Sequence, residues 1–163
     1  MGVDEKLSSP GPLFFAEPPH LRSPDGSMAI WYTEPLGMVD ELLTDNMTSA
    51  TVKFLVETAS ARLEQAYARA PQPMVFVHVW KRARTYDMAA RARLVQWGLT
   101  MGAEKIQRIW VLLEPQCPTF VKMACHAGAV PFAVRRIPML ITEDRAEILR
   151  QDALRVASGV PSP

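Results

Sequence analysis

The stretch Pro73–Gly98, PMVFVHVWKRARTYDMAARARLVQWG, decides how the rest of the chain is read. Met74–Trp80 is apolar everywhere but His78, the pattern of a strand covered on both faces. Lys81, Arg82 and Arg84 follow in a short polar loop. Asp87 then offers a carboxylate of the kind that caps helices, Met88–Met101 has helical spacing, and Gly102 closes it. A buried strand feeding a loop and then a helix is the opening half of a βαβ unit. In open α/β sheets, ligands and partners gather outside the carboxyl ends of the strands. The loop Lys81–Asp87 is therefore the first place to look for function.

The pattern repeats downstream. Ile106–Leu113 (IQRIWVLL) is a second buried strand. Pro118 fits the first turn of a helix reaching about Ala127, with Gly128 as its terminator. Phe132–Ile137 is expected as the last strand, closed by Pro138. Thr142 is expected to cap a final helix to about Ala157, with Glu143 and Asp144 at its positive end. Upstream, a long helix begins near Thr48, capped by Thr48 or Ser49. Its apolar stripe is Val52, Leu55, Val56, Ala59, Leu63, Ala66, Tyr67 and Ala70, and Pro71 and Pro73 stop it. Ahead of that helix, Leu13–Glu17 and Met28–Thr33 are short strand candidates. The turn Ser23–Ser27 (SPDGS) between them has Pro to fix φ and Gly to take φ > 0. Pro35–Met47 is read as a connection with a turn of helix at Gly37–Leu43. The order β-β-α-β-α-β-α-β-α predicts a single α/β domain with a mixed, mostly parallel sheet and packed helices. Residues 1–11 are expected to be a disordered leader, 12–157 the domain and 158–163 a flexible tail.

The chain of 163 residues, 48% hydrophobic and 21% charged, is enough for one domain with a core. A net charge of +1 supplies no general attraction for nucleic acid, so no nucleic-acid partner is expected. No run approaches the ~20 apolar residues of a membrane span. The first eleven residues lack the apolar core of a secretory signal, and a cytoplasmic location is expected. Cys117 and Cys125, on one helix, would lie about 12 Å apart at ~1.5 Å per residue, too far to bridge.

This order resembles the STAS domain of bacterial anti-sigma-factor antagonists and the small SpoIIAA-like, SEC14-like proteins. The local likeness lies in residues 78–98: Trp80 ends a strand, Tyr86 and Asp87 open the next helix, and Trp97 recurs near its end. It extends over roughly Leu13–Val156. The resemblance implies a STAS-like fold and a regulatory, non-enzymatic role. Family members that act in phosphorylation switches carry a phosphorylatable serine at this junction. Here the residues are Thr85-Tyr86-Asp87-Met88, and no serine occurs between Ser60 and Ser158, so the serine switch does not carry over. A phosphate on Thr85 or Tyr86 would sit near Arg82, Arg84 and a helix N-terminus, an arrangement able to order a loop. The plainer alternative is that Asp87 or Thr85 only caps the helix.

Five cations, Lys81, Arg82, Arg84, Arg91 and Arg93, fall within 13 residues. Such a cluster beside a helix start takes an acidic partner protein, a phosphate or a lipid head group. Alternatively it is a solvated face neutralised by acids such as Glu104 or Glu114. No glycine-rich phosphate cradle occurs. Cys117, before Pro118 at a helix start, is placed where a thiol pKa can fall. However, no arginine follows at the spacing of phosphatase-like enzymes, and no second cysteine at redox spacing. Cys125 reads as a core residue and His78 as a satisfied core histidine. His126 lies near a helix end and His20 in a loop. These form no metal set, and no cofactor is expected. Met88, Met101 and Met123 fall at positions suited to core packing or to the lining of a lipid pocket. The function expected is a non-enzymatic interaction module binding a protein through Lys81, Arg82, Arg84, Thr85, Tyr86 and Asp87. A small-ligand or lipid-binding domain and a thiol enzyme at Cys117 are the alternatives.

Overall fold

The computed structural model describes residues 13–158; the expected leader, 1–11, and the tail beyond Ser158 lie outside the described residues. The central sheet has β1 (Leu21–Arg22), β2 (Met28–Glu34), β3 (Gly37–Leu42), β5 (Met74–Val79), β7 (Ile106–Leu112) and β8 (Met139–Thr142), side by side in that order. β1–β2–β3 are antiparallel and β3–β5–β7–β8 parallel. A C-terminal pair, β9 (Arg155–Val156), adds to the end of β2. The short strands β4 (Asn46–Met47) and β6 (Thr85–Tyr86) form a separate two-stranded ladder. The mixed, mostly parallel α/β architecture read from the sequence is present.

Alternation along each strand divides the core in two. Ile30, Tyr32, Met38, Phe76 and Val111 face one layer of helices: α1 (Ser49–Lys53), a π-helical stretch (Phe54–Ala59), α2 (Ser60–Arg69), α3 (Met88–Met101) and α4 (Thr119–Val134). Trp31, Val39, Val77, Trp110 and Leu112 face the opposite layer. There they are covered by Phe14, Phe15, Leu154 and Ile148 of α5 (Arg145–Asp152). Both buried indoles facing this second layer are satisfied: Trp31 donates to the Glu17 carbonyl and Trp110 to Asp152.

Four expectations are corrected. Gly37–Leu43 is not helical: β3 sits between β2 and β5, every residue of it buried. Its Asp40 and Glu41 look like surface residues in sequence, but Asp40 is bonded to His78 and Glu41 accepts the Phe14 N–H at 2.7 Å. Leu13–Glu17 joins no ladder. The SPDGS turn is real, with Gly26 at φ +72°, but it connects Leu21–Arg22 to β2. The helix expected to end at Gly128 continues through Gly128 and Pro131 to Val134, so Phe132 is helical and the last parallel strand is Met139–Thr142. Gly98 of α3 explains part of this: a Cβ there would lie 2.6 Å from the Phe132 ring, so the missing side chain lets Phe132 lodge against α3. Finally, Asp144 rather than Thr142 caps α5, accepting the Ala146 N–H at 2.8 Å. That helix stops at Asp152, where Ala153 turns to φ +48° and frees the chain for β9.

Candidate functional site at the end of β5

The loop Lys81–Asp87 emerges at the carboxyl end of β5, beside the ends of β3 and β7. It is not a free loop. Ala83 N–H closes a turn onto the Trp80 carbonyl at 3.0 Å. Arg84 and Thr85 N–H both donate to the Asp45 carbonyl, at 2.7 and 3.0 Å, and Asp87 N–H to the Met47 carbonyl at 2.9 Å. Thr85 Oγ1 donates to Asn46 Oδ1 at 2.7 Å. The segment before the long helix, unassigned in sequence, is what splints the loop. Asp87 holds the N-cap position of α3, but its carboxylate accepts from Ser49 N–H at 3.2 Å, at the start of α1. The carboxylate expected to cap α3 makes no hydrogen bond to that helix and is engaged by the start of α1 instead. The expected cap of α1 is present as well, with Thr48 Oγ1 accepting from Thr51 N–H.

The structure brings all six candidate residues into this one loop and shows how the basic charge is distributed. Arg84 lies 3.7 Å from Glu114, one of the acids expected to offset it, and also donates to the carbonyls of Lys81 and Ala83. Arg93 pairs with Glu57 on the helix opposite, and Arg91 donates to the Ala124 carbonyl of α4 at 3.2 Å. Arg82 donates to the Leu43 carbonyl at 3.3 Å. Lys81 and Arg82 also act on the buried Glu41 of β3. Burial pushes its carboxyl up, while the Phe14 N–H, Arg82 and Lys81 pull it down and do not prevail.

Sequence reasoning missed the apolar part of this surface. Met88 is 69% exposed, Phe120 52% and Met123 65%, although Met88 and Met123 were expected in the core; Met101 alone of the three is buried. The Phe120 ring lies 6.2 Å from that of Tyr86. From Met88 an open groove of about 660 Å³ runs between α3 and α4, past Arg91, Val95, Leu99 and Pro131. The α4 sequence TFVKMACHAGAVPFAV carried a signal, since only Lys122, His126 and Thr119 are polar. A helix apolar on nearly every side, yet packed on one, leaves apolar surface uncovered.

Behind the loop lies a cavity of about 60 Å³, lined by His78, Trp80, Tyr86, Leu94, Cys125 and Phe132 among others. This is well below the 300–1,000 Å³ usual for ligand pockets. His78 is a buried histidine satisfied at Nδ1 by Asp40 Oδ2, 2.6 Å away, and its ring stacks on Trp80 with centroids 5.2 Å apart. His126 is exposed in mid-helix, not near a helix end. His20 is bonded at both ring nitrogens, to Tyr32 N–H and the Ala157 carbonyl.

Cys117 is buried, its Sγ 3.7 Å from the Ala83 carbonyl. Burial pushes its thiol pKa up, against the smaller opposing pull of Arg84 and Lys122. Cys125 is pushed up further, to about 12, again chiefly by burial. Among the described residues no three His, Cys, Asp or Glu side chains are grouped to hold a metal, and no helix is long and apolar enough to cross a membrane.

No family model and no curated protein matches the chain. Among solved structures, it is similar to an uncharacterized protein of the DUF3478 family from Shewanella loihica, described as having a SpoIIAA-like fold. The two are 14% identical with a TM-score of 0.52, over 76% of this chain and 90% of that one. The fold is thus SpoIIAA-like, as the resemblance implied.

Proposed function

We propose that this SpoIIAA-like domain is a non-enzymatic interaction module that docks an acidic protein partner on the surface around Lys81–Asp87. The observation that carries the reading is the cluster at Tyr86. A half-buried aromatic ring is fixed by the β4–β6 ladder, with exposed Phe120 beside it and Arg84 two residues away. Tyrosine and arginine at the centre of a patch, with apolar neighbours, are the composition of interface hot spots. The splinted loop also supports the reading, because a surface ordered in advance loses little entropy on binding. The regulatory role of this module rests on the fold likeness together with that surface.

The test is affinity capture with purified wild-type and variant domains, followed by direct binding to the recovered partner. Arg82→Glu with Arg84→Glu, and separately Phe120→Asp, should each weaken partner binding tenfold or more, with an unchanged circular dichroism spectrum and melting temperature. Equal binding by wild type and both folded variants would refute the proposal.

A further inference from the structure

The outward face of α4 lacks what a solvated helix ordinarily carries. Of its 16 residues only Lys122 is charged, and Lys122 pairs with Glu143 at 2.8 Å. Opposite the buried Val121, Cys125, Gly128 and Phe132 run Phe120, Met123, Ala127, Val130 and Val134. All five are exposed, Val130 by 62% and Val134 by 77%. Their spacing alternates three, four, three and four residues, the repeat of a coiled-coil seam. A surface helix shows water a polar face, and a contiguous exposed apolar stripe marks an interaction site. The rest of this chain does not supply the cover. Residues 1–12 hold Met1, Val3 and Leu7 as their only large apolar side chains. They lead into Leu13–Phe15, which packs on the other face of the sheet. Residues 159–163, GVPSP, are too few to cover a stripe about 21 Å long.

We propose that α4 pairs with α4 of a second copy of this chain, antiparallel, across a two-fold axis at Ala127. The stripe is nearly symmetric about that residue. Met123 lies four residues before it and Val130 three after; Phe120 lies seven before and Val134 seven after. A two-fold contact is self-complementary, so each residue before the axis meets one after it on the other copy. Met123 then packs on the second copy's Val130 and Phe120 on its Val134. Ala127, the smallest of the five, lies at the crossing, where the two helices come closest. Charge permits the pairing: no Asp, Glu, Lys or Arg falls on the stripe, and a net charge of +1 gives two copies little mutual repulsion. A strongly charged partner would find nothing on the stripe to pair with. Area sets the strength. The face made by α4 and the groove beside it is about 24 Å long and two helix widths, roughly 20 Å, across. Two copies together bury on the order of 1,000 Å², the lower end for a specific interface, so the dimer forms at micromolar rather than nanomolar concentration. Phe120 is shared with the candidate docking surface, whereas Val130, ten residues on, belongs to the pairing alone. The pairing does not depend on partner capture at Lys81–Asp87.

The experiment is sedimentation equilibrium of the purified full chain across the micromolar range. The wild type should shift with concentration from the monomer mass to twice that mass. Val130→Glu should stay monomeric throughout, with an unchanged circular dichroism spectrum and melting temperature. If that variant does not fold, Met123→Glu, at a site 65% exposed, reads the same seam. Orientation is read by cysteine cross-linking under mild oxidant, with the wild type giving the background from the buried Cys117 and Cys125. Ala127→Cys meets its own counterpart at the axis and should give a disulfide-linked dimer. Val134→Cys lies about 21 Å from its counterpart in an antiparallel pair and should not. A wild type that is monomeric at every concentration overturns the proposal and leaves the stripe to a different chain. So does a dimer that Val130→Glu leaves intact, or cross-linking as efficient through Val134→Cys as through Ala127→Cys.

Discussion

Cutting the Asp40–His78 link should damage this fold more than any substitution in the exposed loop. Asp40 is fully buried and the His78 side chain is 5% exposed. Asp40 Oδ1 has no partner among the described residues, and Oδ2 rests on His78. His78→Phe keeps a ring to stack on Trp80 but leaves a buried carboxyl with neither oxygen bonded. Breaking a buried pair in this way costs about 3–5 kcal/mol, a large part of the 5–15 kcal/mol typical of a domain. Asp40→Leu strands the imidazole N–H instead, at about 1–3 kcal/mol. The double substitution replaces the pair with carbon on both strands and should be close to neutral. Urea unfolding followed by circular dichroism measures the cycle. With a slope of about 2 kcal/mol/M, His78→Phe should lower the midpoint by about 2 M, and the double variant should return near wild type. A double variant whose loss equals the sum of the singles within about 0.5 kcal/mol would refute the reasoning, since the two side chains would then not support each other.

Three further outcomes are expected. Gly98→Ala places a methyl group 2.6 Å from the Phe132 ring and should destabilise the domain by about 1–3 kcal/mol, with partial recovery on adding Phe132→Leu; a melting temperature unchanged by Gly98→Ala alone would be the contrary result. Burial raises the Glu41 pKa above its ordinary 4.5, so the folded state holds that proton to higher pH than the unfolded chain. Stability should therefore fall as pH rises from 4.5 through the raised value, and Glu41→Gln should remove that part of the slope in pH-dependent unfolding; an identical slope in the variant would contradict this. Both cysteines, with thiol pKa raised by burial, should react with iodoacetamide more slowly than a free thiol at neutral pH, and readily only in denaturant. Fast labelling of Cys117 in the native protein would restore the case for thiol chemistry.

The parts of the fold legible in sequence are those where one physical signal dominates. Met74–Val79 and Ile106–Leu112 are nearly unbroken apolar runs, and Thr48 and Asp87 mark helix starts, so these elements sit where the residues placed them. β3 was hidden because its acids are paired across the sheet with residues far along the chain: His78 is 38 positions from Asp40, and no local pattern shows such a pair. The C-terminal third was misplaced for the opposite reason. Gly128 and Pro131 are strong local stop signals, overridden once Phe132 lodges against Gly98 of the neighbouring helix. At the site, the charged loop and its location at a strand end were readable. The exposure of Phe120, Met123 and Met88 was not, because an apolar residue at helical spacing looks the same whether it faces the core or a partner.

The covering of the second sheet face by Phe14 and Phe15 has a practical consequence. Leu13 and Phe14 share a surface pocket with Val79 and Lys81, so the chain enters its described part beside the candidate loop. It leaves through β9, which pairs with Thr33 and Glu34 next to the start of the parallel strands, at the opposite edge of the sheet. Leu13 and Phe14 thus border the candidate loop, while Arg155–Ala157 lie at the far end of the strands, where the Ala157 N–H donates to the Tyr32 carbonyl. A partner seated on Lys81–Asp87 should therefore slow hydrogen exchange at Phe14 and Phe15 and leave Arg155–Ala157 unchanged.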